Sequence, residues 1–422
     1  MIAQPDQLML TFEPGPQPDT PALLRVCRSE HDYFQGPNFS REVFQVVLPR
    51  AFAETAFMDE PSSWRERQRP AQVARDLGYR MWMQLPKPIR ADILSGTPGT
   101  PRRVSIVSTA TGMDDIPWEW LNADGSDVIA MLPSVRFVRQ VPVLYVAPPL
   151  TVPLPMRVLI VLTNPKDERL LDAHRELTII KRGLEGRTDY QVRELLEPRL
   201  EALRHALEWA PHIIHYVGHA GISGSRGHII LHDERDGTRW LSAAEIARVL
   251  PTSVRLLCLS TCVTTRNYQT GGLVRFAHCG SDLPLPTTIV NQYALDEGAA
   301  VAFWRRFYPA LLTRDGDVVE AFHESRMEAS TTSDGTWSWA SFSLVVRDGT
   351  GHPFRIGQTG ERRPERFAAE IQAQWSARLA NNLANRKRSL DPTIQGRFER
   401  LDETIGSEEA RIERFTRDIE RS

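Results

Sequence analysis

Two stretches of this 422-residue chain determine its fold: His212-Ile-Ile-His-Tyr-Val-Gly-His-Ala-Gly221 and Arg255-Leu-Leu-Cys-Leu-Ser-Thr-Cys262. Each contains a short apolar run without strict polar alternation, which is typical of a strand buried on both faces of a parallel sheet. Each run ends beside small residues and a reactive side chain, His219 in the first stretch and Cys262 in the second. We therefore expect two buried strands whose carboxyl ends carry a histidine and a cysteine.

The surrounding sequence repeats the same alternation of strand and helix. Strands are expected at Met156–Thr163, Tyr190–Leu195, His212–Val217, Val254–Ser260, Thr287–Asn291 and Ser338–Val346. Helices are expected near Glu176–Gly183 and Glu197–Ala210, after the capping box Ser242-Ala-Ala-Glu245, and after the N-cap candidates Asp296 and Asp317. This order predicts an α/β fold with a doubly wound, mostly parallel sheet and flanking helices. Sites in such sheets lie beyond the carboxyl ends of the strands, where His219 and Cys262 both fall.

The regions on either side of this core differ from it. Residues 1–150 hold strand-like pieces around a helix at Pro70–Met83, and we expect an α+β segment that packs on the core at 151–355. Val141–Pro155 holds five prolines and is interpreted as a linker. Residues 356–422 predict amphipathic helices, which either pack on the rest of the chain or bind a partner.

Composition excludes several classes of function. The 51 basic and 53 acidic residues leave a net charge of −2, so no general field attracts nucleic acid or an anionic membrane. Neither a signal-peptide pattern nor an apolar run of about 18 residues is present. Four cysteines are too few for a disulfide scaffold, and we expect a cytoplasmic protein.

A cysteine and a histidine on neighbouring strand ends supply the parts for nucleophilic catalysis. A thiolate attacks a carbonyl, and a nearby imidazole lowers the thiol pKa or protonates the leaving group. A zinc site built from the three histidines of the first stretch and nearby cysteines is a rival interpretation, but strand geometry points His212 and His215 to opposite faces. The glycine-rich stretch Gly221–Gly227 lacks the lysine of a phosphate-binding loop, and we interpret it as a flexible loop beside the site. No metal and no organic cofactor are therefore expected.

The ordered set of motifs over about residues 70–350 resembles the CHAT family, bacterial caspase-like proteases related to caspases, metacaspases and separase. The resemblance is carried by the two opening stretches and by six further pieces: Ile116-Pro-Trp-Glu119, Glu176, Val290–Asp296, Phe303–Tyr308, the Asp317–Arg326 helix and Trp337–Phe342. It implies a caspase-like sheet and cysteine endopeptidase activity.

The resemblance also implies roles for individual residues. His219 and Cys262 become the catalytic dyad, and the backbone N–H groups of Ala220 and Cys262 become the oxyanion hole. Ala220 stands where the family usually has glycine; alanine keeps the N–H donor but resists positive φ. Candidate walls of a substrate pocket are Gln292, Tyr293, Ala294, Trp337 and Trp339.

The biological setting is implied in the same way. Such proteases are latent until an activating protein or a small signalling molecule triggers them, often in antiphage defence or programmed cell death. The expected partner is a protein substrate, for instance a gasdermin-like pore former or another operon-encoded protein, with no nucleic acid and no membrane. Other functions remain open, since a fold does not determine a function. The alternatives are a catalytically silent CHAT scaffold, a ligand-sensing module, and another hydrolase or acyltransferase.

Overall fold

The computed structural model describes residues 7–13, 22–27, 42–46, 69–108, 116–124, 128–141, 143, 148–165, 173–223, 226–235, 237–260, 276–277, 285–292, 297–332, 337–347 and 351–356. Within these ranges no helix has the length and apolar character that a bilayer crossing requires. The tail beyond residue 356, with its predicted helices, lies outside them, as do Asp296 and Cys262.

An eleven-stranded mixed sheet runs through the described residues. In chain order its strands are β1 (Gln7–Glu13), β2 (Ala22–Cys27), β3 (Glu42–Val46), β4 (Arg102–Ser108), β5 (Val135–Gln140), β7 (Met156–Leu162), β8 (Tyr190–Leu196), β9 (Ile213–Val217), β13 (Leu256–Ser260), β14 (Thr287–Asn291) and β15 (Phe342–Val346). Their spatial order is β3-β2-β1-β4-β5-β15-β14-β13-β9-β7-β8. The other strands form two small sheets. In the first, β6 (Leu150–Val152) pairs with β16 (Phe354–Ile356). The second is an antiparallel ribbon of β10 (Ala220–Ser223), β11 (Arg226–His232) and β12 (Thr238–Ser242).

The half of the sheet that carries the two opening stretches is parallel, as predicted. Strands β8, β7, β9, β13 and β14 all run the same way, so their carboxyl ends meet at one edge. β15 then pairs antiparallel with β14 and parallel with β5, which joins this half to the amino-terminal strands. The predicted mostly parallel α/β sheet is confirmed, and the amino-terminal strands continue the same sheet. The proposed division at residues 150 and 355 stays a prediction.

Two apolar cores, one on each face, explain why the central strands read as unbroken apolar runs. On β7, Val158 and Ile160 enter one core, while Leu159 and Val161 enter the other. The first core contains α3 (Ala173–Leu184), α6 (Glu297–Thr313) and α7 (Val318–Thr332), and the second contains α4 (Leu200–Leu207), α5 (Ala243–Ala247) and the antiparallel ribbon. The amino-terminal half adds α1 (Arg69–Gln84) and α2 (Lys87–Ile93), whose buried residues belong to the first core.

Most local predictions agree with the structure. The helix predicted from Pro70 is α1, the Ser242 side chain and the Glu245 carboxylate form both halves of a capping box, and Asp317 accepts a hydrogen bond from the Glu320 N–H at 3.0 Å at the start of α7. Glu197–Ala210 holds a shorter helix than predicted, α4, because Pro198 precedes its first turn and Ala210 has a positive φ of 52°.

Three predictions about loops and strand bounds were wrong. The interpretation of Gly221–Gly227 as a flexible loop fails in part, because Ala220–Ser223 pairs with Arg226–Ile229 as a strand. Val141–Pro155 is not a plain linker, since Leu150–Val152 pairs with Phe354–Ile356. The predicted strand Ser338–Val346 begins only at Phe342, since residues Ser338–Ser341 form a 3-10 turn that follows Trp337 at a positive φ of 56°.

Candidate active site

The candidate site lies where three parallel strands end side by side. Val217, the last residue of β9, is the register partner of Leu162 on β7 and of Ser260 on β13. The ladder continues past the strands, because the Thr163 N–H donates to the Val217 carbonyl at 2.9 Å and the Gly218 N–H donates to the Ser260 carbonyl at 3.2 Å. His219 therefore follows directly on a backbone that is held from both sides.

Gly218 is required by the close packing of this turn. A Cβ at this position would lie 2.4 Å from Thr163 Cγ2 and 2.6 Å from the Tyr216 hydroxyl oxygen, well inside van der Waals contact. Glycine therefore lets the chain pass between the neighbouring strand end and the Tyr216 ring, which sets the direction in which His219 leaves the sheet.

The Tyr216 hydroxyl ties the same turn to the antiparallel ribbon. Its oxygen lies 2.6 Å from the His219 carbonyl oxygen and 2.8 Å from the Ile230 carbonyl oxygen, either of which can accept its proton, and it accepts the Ile230 N–H at 3.1 Å. The hydroxyl is buried, and burial makes such a hydrogen-bonded group costly to remove. The backbone at His219 is therefore anchored by a side chain three residues earlier in the sequence.

Ala220 has the extended backbone of a strand rather than the left-handed conformation that favours glycine. It is the first residue of β10 and the register partner of Ile229. His219 and Ile230, which lie next to this pair in the ladder, are hydrogen-bonded, since the Ile230 N–H donates to the His219 carbonyl at 3.2 Å. In an antiparallel ladder the next residue then directs its N–H away from the partner strand. Alanine in place of glycine is thus compatible with an N–H that points out of the ribbon.

The His219 ring is almost completely buried, with 3% of its surface exposed, and its Nε2 lies 3.4 Å from Asn164 Oδ1. Asn164 is the second residue beyond β7, and His219 is the second residue beyond β9. Because Leu162 and Val217 are register partners, the two side chains occupy matching positions on adjacent strand ends.

The other two histidines of the first stretch serve separate structural roles. His215 is fully buried, its Nδ1 lies 2.8 Å from the Tyr308 hydroxyl, and its ring packs on Trp304. His212 Nδ1 accepts the Arg157 N–H at 3.0 Å. Burial lowers the pKa of His215 to about 3 and, together with the nearby guanidinium of Arg157, lowers that of His212 to about 4. The described histidines of this stretch therefore do not converge on one centre.

A second polar cluster lies entirely inside the protein. The Glu119 carboxylate accepts two bonds from Arg139 at 2.7 and 2.9 Å, one from the Ser343 hydroxyl at 2.6 Å and one from the Gln292 amide at 2.8 Å. Arg139 also donates to the Gln292 side-chain oxygen at 2.8 Å. Burial alone raises the pKa of Glu119, but the cations of Arg139 and Arg326 and the hydrogen bonds outweigh it, so that its pKa lies below the usual value.

The structure places the remaining predicted pocket residues as follows. The Gln292 side chain is engaged in the Glu119 cluster, and Trp337 and Trp339 are buried, with ring centroids 5.6 Å apart. Tyr293 and Ala294 lie outside the described residues, as does Cys262. The pocket and the dyad stay predictions.

Two residues of the site were missed by sequence reasoning. Asn164 and Tyr216 contact the side chain and the backbone of His219, respectively. The polar Asn164 directly after a buried strand is the signal that could have identified the first, since its strand was already predicted to end at the same edge. No comparable signal marks Tyr216, because an aromatic residue in a buried strand usually packs in the hydrophobic core.

Comparison with known proteins supplies the family. The model of the CHAT domain matches residues 75–348, well over half of the chain, so this chain belongs to the CHAT-domain family. No curated protein matches it in sequence.

Several solved structures resemble the chain at low identity. The Saccharomyces cerevisiae separase–securin complex matches at 14% identity and a TM-score of 0.35, over 61% of this chain and 16% of the separase chain. The Arg-specific cysteine proteinase gingipain R matches at 8% identity and a TM-score of 0.38, over 68% of this chain and 76% of that chain. The complex of the pro- and mature domains of Porphyromonas gingivalis RgpB matches at 9% identity and a TM-score of 0.36, over 66% and 69%. The chain spans less than a fifth of separase, and the family assignment rests on the CHAT match.

Proposed function

We propose that this protein is a caspase-like cysteine endopeptidase in which Cys262 is the nucleophile and His219 the proton carrier. One observation supports the proposal most directly: Val217 and Ser260 are register partners at the carboxyl edge of the sheet. His219 lies two residues beyond Val217 and Cys262 lies two residues beyond Ser260 in the sequence. The pairing of the two strands supports the proposal that the two reactive positions meet at the same edge.

In the proposed reaction the Cys262 thiolate attacks the carbonyl carbon of a peptide bond in a protein substrate. The N–H groups of Ala220 and Cys262 stabilise the oxyanion that forms, and the outward N–H of Ala220 suits this role. Protonated His219 gives its proton to the leaving amine, which departs with the carboxyl-terminal fragment. Water then attacks the thioester while His219 takes up one of its protons, and the tetrahedral intermediate expels the Cys262 thiolate, which releases the carboxylic acid and restores the thiolate beside protonated His219. This chemistry requires no metal and no organic cofactor.

The substrate and setting are proposed from membership of the CHAT family. We expect cleavage of one specific protein, such as a gasdermin-like pore former or another operon-encoded protein, in bacterial antiphage defence or programmed cell death. We expect the enzyme to be latent in the cytoplasm until a protein or small signalling molecule activates it. The candidate pocket walls are Gln292, Tyr293, Ala294, Trp337 and Trp339.

The deciding experiment compares the wild-type chain with Cys262→Ala and the matched control Cys27→Ala, which removes a thiol from the distant strand β2. Each protein is incubated with candidate operon-encoded proteins and a peptide library, and the new termini are identified by mass spectrometry. We expect cleavage by the wild type and the control but not by Cys262→Ala. Equal cleavage by all three proteins would falsify the assignment.

A second measurement does not depend on a trigger or a substrate. Burial raises the pKa of the Cys258 thiol well above its ordinary value, so this residue is an internal standard for an unreactive cysteine. We expect iodoacetamide at neutral pH to modify Cys262 and to leave Cys258 intact, and the rate at Cys262 to fall in His219→Ala. An unchanged rate in that variant would remove His219 from the proposed role.

A further inference from the structure

A group of hydrogen-bond donors lies at the edge of the sheet opposite to the candidate active site. Arg157 is the second residue of β7, His212 directly precedes β9, and Trp209 lies two residues beyond α4. Because β7 and β9 are parallel, their amino ends share this edge. Arg193 on β8 is the register partner of Leu159, so it lies on the same face of the sheet as Arg157.

The position of the hydrogen on the His212 ring follows from a backbone contact. Its Nδ1 accepts the Arg157 N–H at 3.0 Å, so the neutral ring carries its hydrogen on Nε2. Burial and the guanidinium groups nearby lower the pKa of His212 to about 4, which keeps the ring neutral at pH 7. His212 is 5% exposed, and its Nε2 is therefore a nearly buried donor.

The Arg157 guanidinium brings a second donor to the same place. Its Nη1 donates to the Trp209 carbonyl at 2.7 Å, which fixes the group, and its Nη2 lies 3.4 Å from His212 Nε2. A guanidinium has no acceptor, so two N–H groups meet here and form no hydrogen bond with each other. Since the two nitrogens are 3.4 Å apart, one oxygen atom can lie about 2.9 Å from both.

A second guanidinium adds positive charge to this place. Arg193 Cζ lies 4.4 Å from the centroid of the Trp209 ring, and Arg157 Cζ lies 6.0 Å from it. Burial and the charge of Arg193 lower the pKa of Arg157, because the two cations repel each other. In the part of the chain that the structure describes, neither guanidinium forms an ion pair with a carboxylate. Three acidic side chains near them in the sequence pair with other cations: Glu194 with Lys181, Asp189 with Arg187, and Glu208 with His205.

We propose that Arg157, Arg193 and His212 form an anion-binding site whose ligand is a phosphate group. One phosphate oxygen accepts from Arg157 Nη2 and His212 Nε2, and another faces the Arg193 guanidinium. A phosphate group carries a charge of about −1.5 to −2 at pH 7, which matches two cations better than a single carboxylate does. The site lies at the amino edge of the sheet, so the inference goes beyond the proposed function and does not depend on the dyad.

The test measures binding of inorganic phosphate to the full chain at pH 7, with sodium chloride of equal ionic strength as the reference. The protein carries 15N-labelled histidine, and His212→Gln identifies the His212 resonances. We expect phosphate to shift the His212 side-chain nitrogens in a saturable way. His215, whose Nδ1 contacts the Tyr308 hydroxyl in the core, should not shift.

Calorimetry on two variants tests the role of the second guanidinium. Arg193→Ala should weaken phosphate binding by about tenfold or more, since it removes a charged donor. The matched control Arg182→Ala removes an exposed arginine from α3 and should bind as the wild type does. Arg193 is also exposed, so we expect the variant to fold, and melting temperatures check this.

The inference is overturned if phosphate shifts His212 no more than chloride does, or if Arg193→Ala binds phosphate as tightly as Arg182→Ala. Adenosine monophosphate distinguishes two sources of the phosphate group. Binding tighter than that of inorganic phosphate identifies a nucleotide-like ligand, and binding that is no tighter identifies free phosphate. In either case Arg193→Ala should weaken binding of both probes.

Discussion

Two polar clusters of this protein are built on opposite principles. In the Glu119 cluster a fully buried carboxylate receives four hydrogen bonds of 2.6 to 2.9 Å from three side chains, and its partners come from both halves of the sheet. In the His219 cluster the backbone is tightly held, but the ring has a long contact of 3.4 Å to a neutral amide. The first arrangement leaves no capacity for a further partner on the carboxylate, whereas in the second the contact between the ring and the amide is long and involves no charged group. Burial and saturation thus mark a structural polar group, whereas in the His219 cluster it is the backbone that is held most tightly.

The largest loss of stability should come from a substitution that breaks the Glu119 cluster. Glu119→Ala leaves the Arg139 guanidinium buried without its counter-ion, and removal of one partner of such a pair costs about 3 to 5 kcal/mol of unfolding free energy. Urea unfolding measures this loss. The double variant Glu119→Leu with Arg139→Met should recover much of the stability, because it removes both charges. A single variant as stable as the wild type would contradict the structural role of the cluster.

A smaller loss of stability should follow when the pH is lowered, because the fold keeps two buried histidines neutral. The pKa of His215 is lowered to about 3 and that of His323 also to about 3, mainly by burial, whereas an unfolded histidine titrates near 6.5. Below pH 6.5 the unfolded chain therefore binds more protons than the folded chain, so stability falls as the pH decreases towards 4. Each such histidine contributes a slope of up to about 1.4 kcal/mol per pH unit.

The contribution of His215 can be isolated from this slope. Unfolding free energies of the wild type and His215→Gln are measured at pH 7, 6 and 5, and the variant should show the shallower decline whatever its stability at pH 7. Identical slopes would mean that His215 is not held neutral.

The smallest effect should come from Tyr216→Phe, which removes one hydroxyl from beneath the His219 turn. Loss of its hydrogen bonds should cost about 1 kcal/mol of stability, and the less constrained turn should lower activity several-fold. Tyr190→Phe is the matched control, since its hydroxyl donates to the Tyr308 carbonyl at 2.8 Å, inside the core. Both variants should lose similar stability in urea unfolding, but only Tyr216→Phe should lose activity. Equal activity in the two variants would show that the hydroxyl does not position His219.

Local patterns predicted the parallel half of the sheet well, because each of its strands is a short apolar run whose ends are marked by polar or small residues. Thr287–Asn291 and the capping box at Ser242 are examples in which all the necessary information lies within a few neighbouring residues. The same approach predicted a loop at Gly221–Gly227, because the strand character of Ala220–Ser223 arises only from its pairing with β11. Tertiary pairing overrides a weak local preference in such segments.

Contacts between distant parts of the chain could not be predicted in this way. Asn164 meets His219 across 55 positions, and Glu119 meets Gln292 across 173 positions. Both contacts depend on the order and register of the strands, which no single segment encodes. The sequence therefore predicted which reactive residues meet at the sheet edge, while the contacts of Asn164 and Glu119 became apparent only from the strand pairing.

The position of β15 has a consequence for how the protein is made. This strand comes late in the sequence, yet it lies between β5 and β14 and pairs with both. A ribosome therefore releases the amino-terminal strands and the parallel strands from β7 to β14 before it has synthesised the segment that joins them. Residues 342–346 supply the backbone that pairs with both parts of the sheet. A translation product that stops short of β15 therefore lacks the strand that joins them.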